Sequence, residues 1–102
     1  MRNYNVIMLQ TAHDDLDDIT THLKKYSLET ANKYFHLILE KMLSLTTFPM
    51  ARPFVRDIRL RELGIRWTYA NNYTIFFKVN DERGLVFIER ILYSRMEYDT
   101  II

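Results

Sequence analysis

Cysteine does not occur in this chain of 102 residues. Its absence removes disulfides, thiolate nucleophiles and sulfur-ligated zinc, and it suits a reducing cytosol. Gly64 and Gly84 are the only glycines, so a phosphate-cradling loop built on several glycines has no material to form from. Serine occurs at positions 27, 44 and 94 only. Ser27 and Ser94 stand where helix caps are expected, which leaves little for a nucleophilic triad. The histidines are His13, His22 and His36, with no HExxH spacing. Asp14, Asp18 and His22 share a helix face at four-residue intervals, but two carboxylates and one imidazole lack a fourth ligand and read as a solvated face. No metal and no cofactor are expected. No apolar run approaches the roughly 18 residues of a membrane span, and the opening MRNYNV has no apolar signal-peptide core. A cytoplasmic protein is the expectation.

What is present describes a single globular domain over residues 1–102, with 48% hydrophobic and 26% charged residues and room for one core. The net charge of +1 conceals an asymmetry. From Arg52 to Arg66 there are five arginines against only Asp57 and Glu62. A patch of this kind suits nucleic acid or an acidic protein surface, and equally a solvated loop.

Tyr4 to Leu9 is a short, largely apolar run that reads as a strand buried on both faces. Thr11 followed by Asp14 has capping-box spacing. Ala12, Leu16, Ile19, Leu23 and Tyr26 then recur at three and four, the stripe of an amphipathic helix. Asp14, Asp15, Asp17 and Asp18 early in it and Lys24 and Lys25 at its end follow the order the helix dipole favours. Ser27 caps a second helix whose stripe is Leu28, Ala31, Phe35, Ile38, Met42 and Leu45. Pro49 and Pro53 end the helical reading, so residues 49–58 are expected to be irregular. Leu63–Tyr69 and Tyr73–Val79 read as a hairpin turning at Asn71-Asn72. Leu85–Tyr93 follows as a third strand of the second half, with Val86, Ile88 and Arg90 on one side. Ser94 to Glu97 repeats the capping-box spacing and predicts a final helical turn.

The element order β-α-α-β-β-β predicts an α+β domain, with a two-helix hairpin on one face of a four-stranded antiparallel sheet. The first strand is expected beside the last, leaving the hairpin strands in sequential order. The residues left for chemistry are arginines and tyrosines: Arg59, Arg61, Arg66, Arg90, Arg95, Tyr69, Tyr93 and Tyr98. Guanidinium groups grip phosphate in a fork, and a phenol stacks on a base or exchanges a proton. These are the ingredients of a metal-free ribonuclease and equally of an arginine-rich protein contact.

The segment LGIRWTYANNYTIFFKVNDERGLVFIERILYSRMEY closely resembles the C-terminal half of RelE/ParE superfamily toxins. A helix ending in LTTFP ahead of an arginine-rich loop resembles the ParE-like members. The resemblance implies the toxin of a type II toxin-antitoxin system, bound by a small antitoxin and acting either on DNA gyrase or as a ribosome-dependent mRNA endonuclease; a third possibility is an inactive member that keeps only antitoxin binding. RelE-type nucleases place an arginine directly after the third-strand tyrosine, where this chain has Thr74 after Tyr73, and lysines on the preceding strand, where it has Arg66 and Thr68. The resemblance therefore favours the ParE-like branch. If the chain is a nuclease, Arg66, Arg90, Arg95 and Tyr98 are its expected catalytic residues. The expected binding residues are Arg59, Arg61, Trp67, Tyr93 and Ile101, with Tyr34, Phe54 and Ile102 as further candidates for the antitoxin surface.

Overall fold

The computed structural model describes residues 3–94. Strand β1 (Asn5–Met8) leads into helix α1 (Gln10–Lys24), and Lys25, Tyr26 and Ser27 join this to α2 (Leu28–Leu43). Two 3-10 turns, Ser44–Thr46 and Pro49–Ala51, carry the chain to a short helix α3 (Ile58–Glu62). Strands β2 (Arg66–Ala70), β3 (Tyr73–Asn80) and β4 (Leu85–Tyr93) complete the fold.

The sheet order is β1-β4-β3-β2, which places the first strand beside the last and the hairpin strands in sequence, as expected. The sheet is mixed and not antiparallel throughout, because β1 runs parallel to β4, with Asn5 opposite Leu85 and Met8 opposite Ile88. Direction explains the difference. A parallel β1 delivers α1 along the stretch of β4 that β1 itself does not reach. Leu9 N–H donates to the Ile88 carbonyl at 3.0 Å and the Thr11 hydroxyl to the Glu89 carbonyl at 2.7 Å. Thr11 is therefore not a cap: Leu9 precedes the helix with no side-chain cap bond, and the first turn contains no acidic residue. The aspartates lie further along the helix than the dipole argument assumed. Ser27 does cap α2, its hydroxyl oxygen accepting from Thr30 N–H at 3.1 Å.

β1 is an edge strand, and its residues alternate exposed and half-buried instead of being covered on both faces. Along β4 the ladder slips where Phe77 faces Ile88 but Phe76 faces Arg90, so Glu89 is the extra residue of a bulge. The bulge reverses the expected alternation. Ile91, and not Arg90, joins Val86 and Ile88 in the main core. That core lies between the sheet and the α1–α2 hairpin and holds Ala12, Leu16, Ile38, Met42, Ile75 and Phe77. Leu28 and Phe35, read as stripe residues, are exposed on α2.

The second face of the sheet is covered too. Adjacent strand residues point to opposite faces, and Phe76 and Phe77 are both fully buried. Phe76 enters a smaller cluster with Val55, Leu60, Ile65 and Leu92, against which Trp67 packs. This cluster exists because the chain folds into α3 from Ile58, the last residue of the expected irregular connection, onward. The Asp57 carboxylate caps the helix by accepting from Leu60 N–H at 3.0 Å, and Leu60 is buried beneath it. Gly64, at φ +83, makes the left-handed exit, and β2 starts three residues later than Leu63 in consequence. Residues 53–55 then run beside β2: Val55 N–H donates to Ile65 and Trp67 N–H to Pro53, at 3.0 and 3.1 Å. The expected turn at Asn71-Asn72 is present, with Asn71 at φ 51. The helical turn expected at Ser94–Glu97 lies outside the described residues.

Burial on both faces has a measurable consequence. Phe76→Ala and Phe77→Ala should each lower unfolding free energy by about 3–5 kcal/mol, the cost of emptying a phenylalanine site. Chemical denaturation checks this, and a loss below about 1 kcal/mol for Phe76→Ala would contradict a packed second face.

Candidate functional site

A groove of about 820 Å³ lies between α1, the start of α2 and the far end of the β3–β4 ladder. Its helix side carries Asp15, Asp18, His22 and Tyr26, and its sheet side Tyr73, Arg90 and Tyr93. Tyr34 reaches in from α2 and meets Tyr73 edge-on at 5.9 Å between centroids, while Tyr73 meets Tyr93 at 5.8 Å. Across the groove, His22 and Tyr26 make a similar edge contact at 5.4 Å. The result is a wall of phenol rings, apolar on their faces and polar at their tips.

Asp15 fixes the groove's geometry. Its carboxylate receives two bonds from Arg90, Nε at 2.7 Å and Nη2 at 3.0 Å, and a third from Ile91 N–H at 3.0 Å. A side chain of α1 thus does what a fifth strand would do for the backbone of β4. The hydrogen bond and charge of Asp15 raise the Arg90 pKa above the ordinary guanidinium range against the opposing effect of burial, so this side chain is charged in every accessible state. Tyr73 is buried, and desolvation followed by the neighbouring Tyr34 and Tyr93 raises its pKa above 10.0. Its phenol stays neutral and serves as a wall, not as a base near neutral pH.

The arginines expected to act together are placed apart. Arg66, two strands from Arg90 in the sheet order, donates through Nη1 to the carbonyls of Met50 and Arg52 at 3.2 and 2.7 Å. It also stacks on Phe54 at 3.8 Å. Burial pulls its pKa below the ordinary guanidinium value, though two carbonyls and an aromatic face compensate the charge. Arg59 and Arg61 lie exposed on α3, and Trp67 packs against the smaller core. Tyr93 is at the groove. Arg95, Tyr98 and Ile101 lie outside the described residues, as does Ile102. Thr74, at the position where nucleases of the resembled family carry an arginine, is buried and hydrogen-bonded to Ser94 at 2.9 Å.

The groove residues Asp15, Asp18, His22, Tyr26 and Tyr73 were not read from the sequence as one site. Asp14, Asp18 and His22 were weighed only as a metal face. Among the described residues, the donors within 4.8 Å of one another are instead His13, Asp14 and Asp17, all exposed. Three exposed donors on one helix turn do not enclose an ion. No helix among the described residues is long and apolar enough to cross a membrane.

Comparison with known proteins gives a consistent likeness. A family model described as the ParE toxin of the type II toxin-antitoxin system parDE matches residues 6–98. Among solved structures, a chain of the chromosomal ParDE TA system from P. aeruginosa superposes with a TM-score of 0.71 at 22% identity, covering 88% of this chain and 95% of that one. A chain of the toxin-antitoxin complex RelBE2 from Mycobacterium tuberculosis superposes with a TM-score of 0.66 at 18% identity, covering 89% and 98%. No curated protein sequence matches significantly.

Two outcomes test the geometry. Asp15→Ala should cost about 2–4 kcal/mol, because it takes a shared carboxylate away from a half-buried guanidinium and a backbone amide. Amide exchange at Ile91 should quicken in the same variant, and unchanged protection there would rule out the clamp. Separately, alkaline absorbance titration of the protein minus that of Tyr73→Phe should give a phenol ionising above the ordinary 10.0. The folded state favours the neutral phenol, so any stability from this shift is present below the unfolded pKa and is lost as pH rises past it.

Proposed function

The chain belongs to the ParE toxin family of type II toxin-antitoxin systems, and on that footing we propose that it inhibits bacterial growth in the cytoplasm by binding DNA gyrase, and that a cognate antitoxin neutralises it. The non-enzymatic reading is supported chiefly by the separation of Arg66 and Arg90. Each is committed to a structural contact with a different part of the molecule. Metal-free cleavage of RNA needs cationic groups gathered on one phosphate, and losing one such group typically costs about a hundredfold or more in rate. Thr74 leaves a further cationic position of the nuclease pattern unfilled, its hydroxyl bonded to Ser94.

The partner reading is supported by the complexes in which the similar folds occur, a ParDE system and RelBE2. The groove gives such a partner a concave, aromatic surface. On the opposite face, exposed Arg59 and Arg61 of α3, with exposed Ile58 and Leu63, offer a basic and apolar surface for the target.

Induced expression in a bacterium tests both halves. The expected result is growth arrest with loss of plasmid supercoiling and accumulation of gyrase-bound DNA breaks, relieved by co-expression of a cognate antitoxin. Cleavage of ribosome-bound transcripts that disappears in Arg95→Ala would replace gyrase with the ribosome. Normal growth at high expression would mark an inactive member.

A further inference from the structure

We infer that the tyrosine-walled groove is a receptor for a cationic side chain, an arginine or lysine flanked by apolar residues, carried by the partner antitoxin. This rests on the partner reading above and adds to it the chemistry of the contact. Three observations carry it. The first is the sign of the groove. Of the ionised side chains lining it, Asp15 and Arg90 neutralise each other through their paired bonds. Asp18 remains, exposed and making no hydrogen bond or ion pair among the described residues. No lysine lines the groove. Among the described residues, the Asp18 carboxylate is the lining charge left without a counterion, which disfavours an anion and offers a cation a counterion that no group there already holds.

The second is the aromatic content. Tyr26, Tyr34, Tyr73 and Tyr93 all border the same space. Tyr73 is pinned edge-on between Tyr34 and Tyr93, so these rings are positioned before anything binds. Ring faces attract cations, more strongly where water is excluded, and Tyr73 is a neutral phenol throughout the physiological range. Tyr26 is 75% exposed. Its ring extends the aromatic wall of the groove into solvent. The third is size. A space of about 820 Å³ lies within the roughly 300–1,000 Å³ of specific ligand sites and admits several side chains of an extended or helical segment. Ile19 and Leu23 on its floor would receive the apolar neighbours of the cation.

The test uses the full-length protein and three synthetic probes: acetyl-Leu-Arg-Leu-amide, the same peptide with citrulline, and the same with glutamate. Citrulline keeps the shape of arginine and removes its charge. In amide NMR spectra the arginine peptide should shift Asp18, His22, Tyr73 and Tyr93 saturably, binding about tenfold tighter than the citrulline peptide. The difference should shrink as salt is raised. Asp18→Asn and Tyr26→Ala, both at exposed positions that the fold does not need, should each weaken the arginine peptide by about three- to tenfold. Equal binding of the arginine and citrulline peptides, preference for glutamate, or shifts mapping away from the groove would overturn the inference. A concentration-dependent dimer whose equilibrium Asp18→Asn shifts would identify a second copy as the occupant and would also overturn it.

Co-expression with a cognate antitoxin separates the two levels. If the antitoxin rescues growth from wild type and Asp18→Asn alike, and co-purifies equally with both, the cationic anchor is wrong and the partner reading stands. Failure to rescue even wild type removes the partner reading and the anchor with it.

Discussion

The arrangement depends on how β4 is completed. β1 pairs with only the first part of this strand, as far as Ile88, and beyond that point the backbone of β4 would be an open edge. Unsatisfied backbone groups at a covered edge are costly. The chain resolves this with side chains of α1. Thr11 donates to the Glu89 carbonyl, and Asp15 accepts from Ile91 N–H while it grips Arg90. One carboxylate thereby satisfies a backbone amide, neutralises a half-buried guanidinium and ties the first helix to the last strand. The register of α1 on the sheet, and with it the shape of the groove, follows from that attachment.

The same attachment accounts for the direction of β1 and the bulge in β4. Only a strand running parallel to β4 can hand its chain directly to a helix that continues along the same edge. The extra residue at Glu89 turns its carbonyl to Thr11 and carries Ile91 onto the helix-facing side. Arg90, displaced from that side, reaches around to Asp15. What a strict two-residue alternation makes a core position becomes the cation of a clamp. Arg66 is consumed similarly at the other end of the sheet, where it fastens the loop of residues 50–54 to β2. The arginines that suggest phosphate chemistry in the sequence are, at these two positions, structural fasteners.

The groove is the complement of these attachments. With Asp15 and Arg90 cancelling each other, its character falls to Asp18 and to the tyrosines. Membership of the ParE toxin family is the ground on which a protein partner is proposed for it. The opposite face, closed by α3 and the smaller core, leaves its arginines outward and supplies a separate surface of different sign.

Local patterns determined much of this by themselves. The two helices, the cap at Ser27 and the Asn71 turn depend on neighbours a few residues apart, and these elements form where the pattern places them. The order of strands also followed from the pattern, because the first strand had one open place beside the last. The long-range facts were decided only in three dimensions. Nothing near Asp15 in the chain announces Arg90, 75 positions away. The bulge, the parallel pairing and the second core arise from competition among distant groups for backbone partners and apolar cover. That is why the arginines were legible as a set by their chemistry but not by their position, whereas Asp15, Asp18 and Tyr73 became a site only when the sheet brought α1 to the far end of β4.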